Sequence, residues 1–163
     1  MKNSSETNRR DFLKKASLGV LAAISIPEIV ACSQTATGNP PITLEQDAVV
    51  LFQGDSITDA GRNKQNDGPN TTGHLGSGYA MLAAGRLLEK HASANPKFFN
   101  KGISGNKVFQ LAERWDADCL EIKPDILSIL IGVNDIWHKL DLGYDGTVEI
   151  YKNDYIALIE RTK

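Results

Sequence analysis

Cysteine and histidine are scarce in this 163-residue chain: there are two cysteines, Cys32 and Cys119, and three histidines, His74, His91 and His138. Two cysteines cannot build the disulfide framework of a small stapled domain. No Cys/His cluster has metal-ligand spacing, so a structural zinc site is not expected. Basic runs are missing beyond the first fifteen residues. Residues 1–31 hold five basic and three acidic side chains, which leaves a formal charge of −4 on the remainder. That balance argues against nucleic acid as a partner. Long apolar runs are missing too. The stretch Ala16 to Ile26 is broken by Pro27 and falls short of the roughly 20 residues that a spanning helix needs. There is no internal repeat.

Three short apolar runs stand out against this background. Val49-Val50-Leu51-Phe52 leads into Gly54-Asp55-Ser56, Phe98-Phe99 leads into Asn100-Lys101-Gly102-Ile103-Ser104-Gly105, and Ile126 to Ile131 leads into Gly132-Val133-Asn134-Asp135. Each is β-rich and stopped by glycine, as buried parallel strands are. Between and after them lie stripes with helical spacing: Ala80, Ala83, Ala84, Leu87 and Leu88; then Val108, Leu111, Ala112, Trp115, Cys119 and Ile122; then Val148, Tyr151, Tyr155, Leu158 and Ile159, with Thr147 as N-cap. On such stripes Cys119 and Trp115 read as core residues. Alternating strands and helices imply a parallel sheet covered on both faces, an α/β fold of flavodoxin-like order.

In such sheets ligands sit beyond the carboxyl ends of the strands. Ser56 is therefore a candidate nucleophile, with the bland alternative that Asp55 and Ser56 only close a turn. If the three strand ends converge, a hydroxyl, backbone N–H groups and an amide meet at one edge, which is the set that acyl transfer needs. A rival reading takes Asp55, Asp59 and Asp135 as a carboxylate cluster for magnesium in a phosphohydrolase. The polar loop Thr58 to Ser77, holding His74, is expected to shape a pocket or to lie solvated. His91 falls at a helix end.

Gly54-Asp55-Ser56-Ile57-Thr58, Gly102 and Gly132-Val133-Asn134-Asp135 together resemble, in order and spacing, the blocks of the SGNH (GDSL-type) hydrolases, a family of serine esterases and lipases. The resemblance runs from about Ala48 to the end and implies a three-layer α/β/α fold. It implies Ser56 as nucleophile, the Gly102 N–H and the Asn134 side chain as oxyanion donors, and no cofactor. The family's triad is completed by an Asp-x-x-His motif well downstream. Asp135-Ile136-Trp137-His138 spells that motif, but it directly continues the third block, so it is expected to be a loop beside the site. On this resemblance the chain lacks the family's C-terminal strand and helix with the triad pair, and is expected to be inactive as it stands. A carbohydrate deacetylase is the specific activity expected of the family member. A non-catalytic glycan-binding surface lipoprotein is the further alternative.

Near the start, Asn8-Arg9-Arg10-Asp11-Phe12-Leu13 resembles a twin-arginine export signal, with Ala16 to Ile26 as its apolar region. Ile29-Val30-Ala31-Cys32 resembles a lipobox with Cys32 as the lipidated residue. The expected organisation is a signal peptide over 1–31, a flexible tether over 32–46 and the hydrolase-like domain over 47–163. The protein is thus expected outside the cytoplasm, tethered to a membrane surface through Cys32, with a small-molecule or carbohydrate ester as substrate.

Overall fold

β1 (Val49–Gly54) runs through the middle of the sheet in the computed structural model, which describes residues 43–163 apart from Thr72. The proposed signal, Cys32 and most of the tether lie outside the described residues. β2 (Lys97–Asn100) and β3 (Ile126–Leu130) flank β1, both parallel to it, in the order β2-β1-β3. This is the flavodoxin-like start expected from the strand–helix alternation. Val50 pairs with Phe98 on one side and with Ile126 on the other.

The strand period of two divides β1 between two cores. Val50 and Phe52 pack with Phe98 and with Ala80 and Ala84 of α2 (Tyr79–His91). Leu51 faces the other way, onto Val108 and Leu111 of α3 (Val108–Glu113), Trp115, Cys119, and Leu158 of α5 (Val148–Thr162). Leu51, Phe98, Leu111, Trp115 and Cys119 are fully buried, and each large apolar side chain such as Leu51 or Phe98 contributes about 1.5–3 kcal/mol relative to exposure. Helices therefore lie on both faces of the sheet. Leu44, ahead of the expected domain start at Asp47, also packs into the first core.

The predicted helices form with some changes. Thr147 caps α5 by accepting from the Ile150 N–H at 3.1 Å, a contact type worth about 1 kcal/mol. Val148, expected on the buried stripe, instead stands 82 % exposed. The stripe Val108 to Ile122 is not one helix. It breaks at Arg114 and resumes as a π-helical turn over Asp116–Leu120. Trp115 survives the break as a core residue, its Nε1 donating to Thr162 Oγ1 at 3.1 Å. Cys119 is a buried thiol whose pKa is pushed up to about 11 by desolvation.

Two further helices come directly after strands. α1 (Ser56–Asp59) follows β1 and α4 (Val133–Asp141) follows β3. The segment expected to be a loop around Asp135 and His138 is thus helical.

Candidate active site

Backbone hydrogen bonds continue the sheet past its strands and draw the three carboxyl ends together. The Lys101 N–H donates to the Phe52 carbonyl at 2.9 Å, and the Ile103 N–H donates to the Gly54 carbonyl at 3.1 Å. On the other side Gly54 is level with Leu130. The segments after β1, β2 and β3 therefore meet at one edge, as the sequence predicts.

Ser56 opens α1 and is exposed. Asp55 before it is fully buried and caps the helix, its Oδ1 accepting from the Ile57 N–H at 2.9 Å. Asp55 Oδ2 is buried without a hydrogen-bond partner. Among the described residues nothing hydrogen-bonds to the Ser56 hydroxyl or to its backbone N–H. The hydroxyl faces solvent, and the amide is an open donor at the start of a helical turn.

Asn134 is the second residue of α4 and nearly buried. Its Nδ2 donates to the Asn106 carbonyl at 3.0 Å. An amide NH2 carries two donors, so one N–H fixes the side chain and the other remains for a ligand.

Gly102 is placed differently from expectation. Its N–H donates to Asn100 Oδ1 at 2.9 Å. A Cβ at Gly102 would lie 2.4 Å from the Asp59 nitrogen, so glycine here lets the β2 end press against α1. Three residues on, Gly105 sits at φ +84° with open space around its Cα, and its N–H has no partner among the described residues. Gly105 is not among the donors expected from the sequence. The available signal was the second glycine of Gly-Ile-Ser-Gly, at a conformation that only glycine adopts cheaply.

The three aspartates of the rival metal reading are not gathered. Asp59 is buried and accepts from the Ser104 N–H (3.0 Å), the Ser104 hydroxyl (3.1 Å) and Lys64 (2.7 Å). Burial opposes its charge, but the bonds from Lys64 and Ser104 outweigh that and hold its pKa below the usual carboxylate value. Asp135 instead points to the start of α3, where the Val108 N–H approaches its two oxygens at 3.3 and 3.4 Å. Desolvation raises its pKa. Among the described residues no three carboxylate, histidine or cysteine side chains are grouped to hold a metal ion.

The histidines are likewise committed elsewhere. His138 Nδ1 lies 3.1 Å from Lys107 Nζ, and the Asp135 carboxylate holds Val108 and not the imidazole. The Asp135/His138 pair thus lacks the carboxylate–imidazole contact of a triad. His74 is fully buried, contrary to a solvated loop position. Its Nε2 accepts from the Asn100 N–H at 3.2 Å, its ring meets Phe99 edge-on, and desolvation lowers its pKa. Around it the 58–77 segment is built into the fold. The Asn70 backbone N–H donates to the Phe98 carbonyl at 3.1 Å, and its Oδ1 accepts from the Phe98 N–H at 2.9 Å. His91 ends α2, away from this edge.

Residues 52–163 match the GDSL-like Lipase/Acylhydrolase family. The acetylxylan esterase of Geobacillus stearothermophilus is 41 % identical over 110 residues, which cover 68 % of this chain and 50 % of that enzyme. The chain thus spans half the length of that curated relative. A crystal structure of a candidate GDSL-like lipase from Parabacteroides merdae superposes with a TM-score of 0.73 at 58 % identity, covering 76 % of this chain and 57 % of that one. A crystal structure of the Geobacillus acetylxylan esterase gives a TM-score of 0.68 at 36 % identity, covering 74 % of this chain and 57 % of that one. Structures described as catalytic mutants of that esterase carry alanine in place of a serine, an aspartate and a histidine, the last two three positions apart.

Proposed function

The chain belongs to the GDSL-like lipase/acylhydrolase family, and on that premise we propose that it carries the nucleophile and oxyanion hole of an ester hydrolase that removes acetyl groups from carbohydrates. The observation that carries this reading is the meeting of an exposed Ser56 with open donors at one sheet edge. Ser56 Oγ attacks the ester carbonyl carbon and gives up its proton to an imidazole. The carbonyl oxygen becomes an oxyanion and accepts from the Ser56 N–H, the Gly105 N–H and Asn134 Nδ2, donors that need no rearrangement as the charge develops. Collapse releases the sugar hydroxyl with the proton and leaves an acyl-serine, which water then hydrolyses. Gly105 takes the role first expected of Gly102, whose N–H is already bonded to Asn100. No described histidine is assigned as the base. Asp135 and His138 share the three-position spacing of the aspartate and histidine mutated in the acetylxylan esterase, but not the carboxylate–imidazole contact that the role requires.

Support for a sugar ester comes from the acetylxylan esterase relative. Acetate release from acetylated xylooligosaccharides, compared with fatty-acid release from a long-chain glyceride by the intact protein, tests it. Preference for the glyceride contradicts the carbohydrate assignment. Ligand binding with no turnover of either ester supports the non-catalytic alternative.

The same proposal places the domain outside the cytoplasm, sent there by Arg9-Arg10 and held at a membrane surface through an acylated Cys32. Stable anchoring takes more than one acyl chain. Labelled palmitate should enter the wild type and not Cys32→Ser. Release of unlabelled soluble wild type contradicts the lipid anchor.

A further inference from the structure

We infer that Arg114 is a positioning residue for the oxyanion hole, its guanidinium tying together the segments that carry Ser56, Gly105 and Asn134; this rests on the catalytic reading above. Arg114 ends α3 with its side chain 17 % exposed. Asp118 pins it, Oδ2 accepting from Nη1 at 2.7 Å. Asp118 is itself held to the central strand, where Gln53 Nε2 donates to its carbonyl at 2.7 Å.

From that anchor its donors reach the end of β1 and the segment after β2 directly, and the segment after β3 through Asn106. Nη1 also donates to the Lys101 carbonyl at 2.8 Å, one residue before Gly102. Nη2 makes a long contact, 3.5 Å, to the Gly54 carbonyl, two residues before Ser56. Nε donates to Asn106 Oδ1 at 3.0 Å, and the Asn106 carbonyl receives Asn134 Nδ2. Asn106 also directly follows Gly105, so one residue links the guanidinium to both proposed donors. Arg114 touches no reacting atom and acts through Asn106.

A planar guanidinium has five donors in a fixed fork, whereas an ammonium is a point charge on a flexible stem. Lysine at 114 keeps a cation beside Asp118 but cannot hold Asn106, Lys101 and Gly54 at once. Misplacement of a catalytic constellation by about 1 Å costs up to about 10²-fold in rate.

The test is steady-state acetyl-ester hydrolysis by the intact protein carrying Arg114→Lys, Asn106→Ala, both, or Ser56→Ala. Asn106→Ala removes the Oδ1 contact and leaves the backbone carbonyl that holds Asn134. The expected result for Arg114→Lys is a kcat about 10–100-fold lower with KM within about threefold. Asn106→Ala should lower kcat in the same way. The double variant should lose much less than the product of the two single losses, because both act through one contact. Unchanged kcat in both single variants, a rise in KM alone, or fully multiplicative losses would overturn the inference. If Arg114→Lys does not fold, Asn106→Ala decides by itself: a lower kcat supports the role, and an unchanged kcat refutes it. Normal turnover by Ser56→Ala would sink the catalytic reading beneath the inference, and that variant tells the two failures apart.

Discussion

Asn134 Nδ2 donates to the Asn106 carbonyl at 3.0 Å, so the helix after β3 takes its orientation from the segment after β2. The bond uses one of the two amide hydrogens. The side chain is thereby held in advance, before any substrate charge develops. Preorganised donors act on the transition state more than on the ground state. Asn134→Ala should therefore lower kcat by about 10²–10³-fold, as loss of a single oxyanion donor does. KM should change little. A variant in which only KM rises would make Asn134 a substrate-binding residue.

Gly102 and Gly105 are expected to respond oppositely to alanine. At Gly102 the added Cβ meets the backbone nitrogen of Asp59 at 2.4 Å, and overpacking of this kind costs about 1–3 kcal/mol or more. At Gly105 the Cβ enters open space, and only the positive φ is strained, at about 1–2 kcal/mol. Thermal unfolding should show the larger loss for Gly102→Ala. Activity per folded molecule should fall further for Gly105→Ala, because strain at that residue turns its N–H. A Gly102→Ala variant that melts like wild type and is inactive would restore Gly102 as the donor.

Acid should loosen the segment that His74 anchors. Its Nε2 must stay unprotonated to accept from Asn100, and desolvation depresses its pKa below the ordinary value of 6.5, against the pull of Asp67 and with Arg62 and Lys101 nearby. A depressed pKa contributes stability above the unfolded value, lost as pH falls through the folded one. Stability should therefore decline below pH 6.5. His74→Gln keeps a side-chain acceptor and removes the titration. Its melting temperature should vary less between pH 6.5 and about 5 than that of wild type. Equal pH dependence of the two proteins would contradict the role of His74.

What the sequence disclosed and what it hid divide along contact range. The strands and the helices over 79–91 and 148–162 were legible because their apolar residues recur at the period of the element that buries them. α4 was not. Its apolar residues Ile136, Trp137 and Leu140 are 65 %, 59 % and 76 % exposed, so no core stripe marks it. Burial of His74 depends on a bond to Asn100, 26 residues away, and such a bond leaves no periodic trace. Gly102 could be recognised as a close-approach glycine, but not as one whose N–H Asn100 already occupies. The placing of Ser56 at a helix start just beyond β1 was legible because one strand end and a Gly-Asp-Ser turn suffice to define it.

The central claim is that Ser56 attacks the ester carbonyl, and Ser56→Ala measured against p-nitrophenyl acetate tests it most directly. Ser56 is exposed and nothing in the described structure bonds its hydroxyl, so the substitution removes Oγ without disturbing a core contact. The intact protein should lose turnover down to the residual rate that an oxyanion hole alone supports, with its melting temperature unchanged. A Ser56→Ala protein that folds and turns over the ester at the wild-type rate would contradict the account.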